Sequence, residues 1–233
     1  MALADDIKAE VTRIFRDQWS TRNGLVVPEP EDISLSNDAV EFEQATVLYA
    51  DLSRSTAMVD GKKWWFAAEV YKTFLYCAAK IVRAEGGSIT SYDGDRIMGV
   101  FIGDYQCTRA ARCGLKINFA VQHIVNPMLA ARYPDAKYAV KQVVGIDVSS
   151  VRAARTGVRG GNDIVWVGRA ANYAAKLTDL DLAQRTWITE AIYNRINDAA
   201  KFGGEQKENM WKKFTWSQHG DMAIYGSTWT WRL

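Results

Sequence analysis

The sequence predicts a mixed β-sheet covered by helices, of the α+β or the α/β class, on three observations. Short β-branched and aromatic runs, such as VLYADL at 47–52, read as strands. Long segments at 62–84 and 104–125 carry helical periodicity. An Asp-Gly-Asp turn between two apolar runs reads as a hairpin rather than a crossover.

Residues 3–18 read as an amphipathic helix, and the connector NGLVVPEPEDISLSND (23–38) is rich in Pro and Glu and lacks helical periodicity. This divides the chain into an N-terminal helix with an appended connector (1–44) and a main domain (45–233). The main domain should run as strand 46–51, helix 62–84, a hairpin of 88–93 with 97–102, and helix 104–125. Strand-like 139–149 and 151–158 follow, then a Gly-Gly turn at 160–161, strand 163–167, helix 169–179, strand 186–189 and helix 190–198. A hairpin made from 210–217 and 222–232 closes the chain.

With 233 residues and 48% apolar content, the chain can bury a sizeable core. Its net charge of +2, from 29 basic and 27 acidic residues, is too small and dispersed for a dedicated nucleic-acid surface. Cys77, Cys107 and Cys113 form no CxxC pair, which fits reduced, buried thiols in a cytoplasmic protein. The N-terminus MALADDIKAE has no basic-then-apolar signal pattern, and no stretch approaches the ~18 apolar residues that span a bilayer. No membrane partner is expected. Trp64, Trp65, Trp187, Trp211, Trp216, Trp229 and Trp231 fall in apolar patterns and read as core or dimer packing.

Two aspartates stand at the ends of strand-like runs: Asp51 in VLYADLSRST and Asp95 in SITSYDGDRIMGVF. Carboxylates that converge on hard divalent cations are what triphosphate chemistry requires, because the cations neutralise phosphate charge and polarise the attacking oxygen. Tyr49 and Asp51, two apart on a strand, share a face. The turn Leu52-Ser53-Arg54-Ser55-Thr56 offers N–H groups, hydroxyls and a guanidinium to phosphate. A plain strand-to-helix turn capped by Asp51 is the competing explanation. Gly94 allows the hairpin that projects Asp95, although Asp-Gly is also a common turn. Asn172 and Lys176, four apart on a helix, set an amide beside an ammonium, as an ordinary solvated face also could.

Taken in order, these motifs resemble the catalytic domain of the class III nucleotidyl cyclases over about residues 45–190. Asp51 and Asp95 match that family's metal aspartates, with Gly86, Gly87 and Gly94 in register, and Gly168, Asn172, Ala174 and Lys176 match its third motif. The resemblance implies an α+β, ferredoxin-like palm with a mixed, mostly antiparallel sheet. It implies a head-to-tail homodimer whose sites combine Asp51 and Asp95 of one chain with Asn172 and Lys176 of the other. Two divalent cations, Mn²⁺ or Mg²⁺, are implied on Asp51, Asp95 and the Leu52 backbone carbonyl. Asn172 is implied to position the ribose. Lys176, where the family has Arg, is implied to stabilise phosphate charge, which it can do without a two-pronged donor. His123 and His219 receive no catalytic role.

The family's adenine-reading Lys and Asp align with Ser91 and Val165, so neither purine reader is present. Tyr49 replaces the usual Phe and would narrow the base site, while Arg96 has only donors, which suits the O2 and O4 acceptors of uracil. In a regular strand, however, Arg96 would face away from Asp95. These features are similar to the pyrimidine cyclases of bacterial Pycsar antiphage systems. The similarity implies UTP as substrate, cyclic UMP as product, and a separate downstream effector that recognises it. A cytidylate cyclase, a relaxed purine cyclase and a catalytically silent nucleotide-sensing dimerisation module are the alternatives. Asp147 and the pair Ser149-Ser150 have no account from sequence.

Overall fold

A computed structural model describes residues 2–180 and 183–233. The elements run in the order α1 (Leu3–Arg16), β1 (Ser20–Asn23), β2 (Asp38–Leu52), α2 (Ser55–Gly61), α3 (Trp64–Ala84), β3 (Ser88–Asp93), β4 (Arg96–Phe101) and α4 (Gln106–Ala120). They continue with α5 (Asn126–Arg132), β5 (Gln142–Val158), β6 (Gly161–Val167), α6 (Arg169–Leu177), β7 (Thr186–Thr189), α7 (Glu190–Tyr193) and α8 (Asp198–Lys201). The short pair β8 (Phe202–Gly203) and β9 (Glu208–Asn209) then precedes β10 (Lys212–Trp216) and β11 (Met222–Ser227). Among the described residues the main sheet has nine strands, with path β10-β11-β7-β5-β2-β4-β3, β1 on β2 and β6 on β5. Only β1–β2 and β5–β7 pair in parallel, so the sheet is mixed and mostly antiparallel, as the α+β expectation requires.

Strand alternation sends the central strand β2 into two cores. Leu48, Ala50 and Leu52 pack under α3 and α4 with Ile97, Phe101 and Phe74. Val47 and Ala45 pack on the other face, against Met98, Val100 and the α6 alanines Ala170, Ala171 and Ala174. Gly145 is what lets α6 lie so close to β5: a Cβ there would stand 2.1 Å from the Ala174 carbonyl oxygen.

Several expected boundaries are corrected. β2 begins at Asp38, not 46, because a register shift between Phe42 and Ala45 interrupts the alternation that marks a strand. The stretch read as an appended connector is tied into the sheet, with β1 pairing along residues 38–41 and Ile33 buried. The segments 139–149 and 151–158 form one strand, β5, through Ser149-Ser150. The helix expected at 104–125 passes through a π-helical turn, Val121–Val125, into α5, where Pro127 sits in the first turn and needs no N–H partner. The helix expected at 190–198 breaks, and the Asn197 side chain accepts from Ala200 N to start α8. The first and sixth helices stop two residues short of 18 and 179, at Arg16 and Leu177. Trp187, Trp211 and Trp216 are buried, whereas Trp64 is 79% exposed and lies outside the core. Cys107 and Cys113 are buried and Cys77 half-buried, all as free thiols.

Candidate active site

Backbone register places the expected residues. Along one row of the sheet Asp93 lies opposite Arg96, Arg96 opposite Asp51, and Asp51 opposite Val143. Two residues along, Ser91 lies opposite Met98, Met98 opposite Tyr49, and Tyr49 opposite Gly145. Cross-strand partners share a face. Tyr49, Asp51, Ser91 and Arg96 therefore share the face that carries α6.

Gly94, at φ +60°, and Asp95 form the turn between β3 and β4, so strand alternation does not govern Asp95. The Arg96 guanidinium stacks over the Tyr49 ring at 5.6 Å and meets Asp93, itself 80% exposed, at 3.5 Å. A contact that long with an exposed carboxylate is weak and leaves the donors available to a ligand.

The aspartates form an energetically unfavourable corner. Burial, then the negative charge of Asp95, push the Asp51 carboxyl up to about 6, against the opposing effect of Arg96. Asp95 Oδ2 is buried without a hydrogen-bond partner. An orphaned carboxylate oxygen beside a second, partly dehydrated carboxylate suits a divalent cation, which supplies the missing positive charge. Among the described residues no group of three or more His, Cys, Asp and Glu side chains converges. Further ligands would be oxygens of another kind: the carbonyl of Leu52 at the end of β2, water, or substrate phosphate.

The loop after β2 holds the remaining nearby candidates. Ser53 N donates to the Lys141 carbonyl at 2.9 Å, Arg54 takes the left-handed conformation at φ 59°, and Ser55 and Thr56 open α2. Val165 lies on the outer side of β6 and is 43% exposed. Asn172 and Lys176 project from the outward side of α6, opposite its buried residues Ala170, Ala171, Ala174 and Leu177. Within one chain all three are surface residues, and Asn172 and Lys176 are turned away from the sheet. His123 stacks on Phe119, and His219 packs on Trp216 and Tyr173, outside the acidic corner.

Sequence reasoning missed Asp93, the neighbour of Arg96, whose signal is its alternation with Ser91 on β3. It also missed Asp179, whose charge adds to the upward push on Asp51. Asp147 and Ser149 now have a structural account. Buried Asp147 accepts from Thr189 Oγ1 and meets Arg169 Nε at 3.1 Å, while Ser149 Oγ accepts from Ala170 N at 2.9 Å.

No family model matches the chain. A curated uridylate cyclase of Xanthomonas perforans is 50% identical over 234 residues, covering 100% of both chains. One of Burkholderia cepacia is likewise 50% identical over 234 residues, with 100% of both covered. Among solved structures, the crystal structure of the guanylyl cyclase Cya2 superposes with a TM-score of 0.67 at 17% identity, covering 82% of this chain and 94% of that one. That likeness gives the same fold.

Proposed function

This chain belongs to the uridylate cyclases, a group of nucleotidyl cyclases, and from that membership we propose that it converts UTP to 3′,5′-cyclic UMP and pyrophosphate. The observation that carries the proposal is the single row holding Asp51 and Arg96 side by side, with Asp95 in the adjoining turn and Tyr49 stacked beneath Arg96.

In the reaction the ribose 3′-oxygen forms a bond to the α-phosphorus, the bond from that phosphorus to the bridging oxygen breaks, pyrophosphate leaves, and the 3′-hydroxyl proton passes to solvent. Two divalent cations, Mn²⁺ or Mg²⁺, bound through Asp51, Asp95 and the Leu52 carbonyl, would lower the hydroxyl's pKa and offset triphosphate charge. Arg96 donates to O2 or O4 of uracil, and Tyr49 fills the space that a second base ring would need. Ser91 and Val165 stand where the family's adenine-reading Lys and Asp would be, so neither charged purine reader is present. The loop Ser53, Arg54, Ser55 and Thr56 lies beside Asp51 and offers N–H groups, hydroxyls and a cation to phosphate oxygens.

Asn172 orients the ribose and Lys176 balances charge on the departing phosphate, both from a second copy of the chain. Their outward placement on α6 supports that assignment, since residues serving a neighbour's site must leave their own surface. No helix among the described residues is long and apolar enough to cross a membrane. The resemblance to Pycsar cyclases supports a role as second-messenger synthase in antiphage defence, with a separate effector binding the product.

Incubation of the purified protein with each of the four nucleoside triphosphates and Mn²⁺ or Mg²⁺, followed by mass identification of products, tests the reading. Cyclic UMP should dominate. Cyclic CMP or cyclic AMP as the main product would overturn the base assignment, and no cyclic product would favour a silent module.

A further inference from the structure

We propose that Asp147, Arg169 and Ser149 form a positioning clamp that sets the rotation and axial position of α6, and through it the placement of Asn172 and Lys176. The inference rests on the roles just given to those two residues.

The apolar face of α6 holds the helix close to β5 over Gly145. Over Arg169–Leu177 its buried residues are Ala170, Ala171, Ala174 and Leu177. Apolar contact is non-directional, so packing favours this placement without itself directing the polar side chains of the helix. Directional contacts lie at the first turn instead. Asp147, 0% exposed on β5, accepts from Thr189 Oγ1 and, at 3.3 Å, from Arg169 Nη2. Its Oδ2 meets Arg169 Nε at 3.1 Å as an ion pair rather than an aligned hydrogen bond. The same Arg169 Nη2 donates to the Val148 carbonyl at 2.7 Å, and Ala170 N donates to Ser149 Oγ at 2.9 Å. Three consecutive residues of β5 thus hold two consecutive residues of α6.

Helical geometry links this clamp to the chemistry. Arg169, Asn172 and Lys176 fall at i, i+3 and i+7, one stripe along the helix. Any rotation that Arg169 permits is passed directly to Asn172 and Lys176. A buried ion pair contributes little net stability beside an apolar substitute, but it specifies one arrangement among several. Displacement of a positioned group by about 1 Å can cost on the order of 10²-fold in rate.

The test is the kinetics of Arg169→Gln, whose side chain is 40% exposed in the native protein. The kcat for cyclic UMP formation should fall about 10- to 100-fold while KM for UTP moves far less. If Arg169 acts through Asn172, the double variant Arg169→Gln with Asn172→Ala should be no slower than Asn172→Ala alone. Pairing Arg169→Gln with Asp147→Asn should recover part of the rate, because no buried charge is then left unpaired. Circular dichroism at the assay temperature shows whether each variant is folded. Should Arg169→Gln unfold, Ser149→Ala, which removes only the Ala170 cap, carries the same test with a several-fold loss expected. An active wild type with Arg169→Gln at full rate, or losses that multiply in the double variant, would overturn the clamp alone. A wild type that makes no cyclic UMP, or Asn172→Ala at wild-type rate, would overturn the functional reading and this proposal with it.

Discussion

Asp51 and Asp147 sit on neighbouring strands of one sheet, and burial raises both carboxyls above the ordinary range. Their surroundings are opposite. Asp147 lies against a hydroxyl and a guanidinium, so its desolvation is partly offset inside the protein. Asp51 faces Asp95, whose Oδ2 has no partner, so at that end the chain carries unfavourable charge with no full internal compensation. A buried carboxylate held in an ion pair serves the fold; two carboxylates set against each other are retained for something that binds. Proteins break local rules where function requires it.

The sharpest way to break this comparison is to truncate each aspartate. Asp51→Ala should lower turnover by about 10³-fold or more, the scale expected when a principal electrostatic contact to the reacting group is lost. The same change should leave the thermal midpoint of the metal-free protein unchanged or raise it, because a like-charge contact disappears. Asp147→Ala should do the reverse at the level of stability. Removing one partner of a buried pair costs about 3–5 kcal/mol, and here the lower end applies because Arg169, 40% exposed, can turn to water. Urea unfolding of both variants decides the matter. A loss of stability in Asp51→Ala as large as in Asp147→Ala would show that both carboxylates are structural.

The two regions also differ in how far the sequence revealed them. Asp51 and Asp95 were legible because each is marked locally, one at the end of an apolar alternation and the other beside a turn glycine. The clamp was not, because its partners lie 22 and 42 residues from Asp147 and meet only after β5, α6 and β7 have paired. Arg96 was legible as a donor, but its placement relative to Asp95 was not, since strand alternation fails at the Gly94-Asp95 turn. Likewise the true start of β2 was hidden by the register shift at Phe42 and Ala45, which places two adjacent side chains out of phase. Most helix and strand types along the main domain follow from periodicity alone, whereas their boundaries depended on caps, bulges and tertiary pairing.

A weaker effect sharpens the comparison through pH. The Asp51 carboxyl is raised from the ordinary 3.8 to about 6 in the folded protein, so the folded state binds its proton more tightly than the unfolded chain. Between those values the unfolded state holds fewer protons, and stability must fall as pH rises from about 4 to about 6, then level off on this group's account. Asp147 is displaced in the same direction, so the contribution of Asp51 is isolated by comparison with Asp51→Asn, in which the slope should flatten. Mn²⁺ should raise the thermal midpoint of the wild type above about pH 6 and much less at pH 5, since a cation competes with the proton for the same oxygen. Equal stabilisation by Mn²⁺ at both pH values, or in Asp51→Asn, would place the cation elsewhere.

The smallest effect concerns selectivity at the edge of the unsatisfied corner. Tyr49 supports Arg96 through a stacked contact at 5.6 Å, so Tyr49→Phe retains the ring face and removes only the hydroxyl. The stack should survive, and UTP turnover should change by less than about 10-fold, because the ring face that supports Arg96 is kept. What the hydroxyl adds is bulk and polarity, and burial already pushes its pKa up, so it acts as a neutral donor and acceptor. Without it the site should admit a larger base more readily, seen as a rise in ATP or GTP turnover relative to UTP. Tyr49→Leu removes the stacking surface as well and should cost more in UTP turnover than Tyr49→Phe. An unchanged ratio of purine to pyrimidine turnover in both variants would show that Tyr49 does not shape the base site, and discrimination would then fall to Arg96 alone.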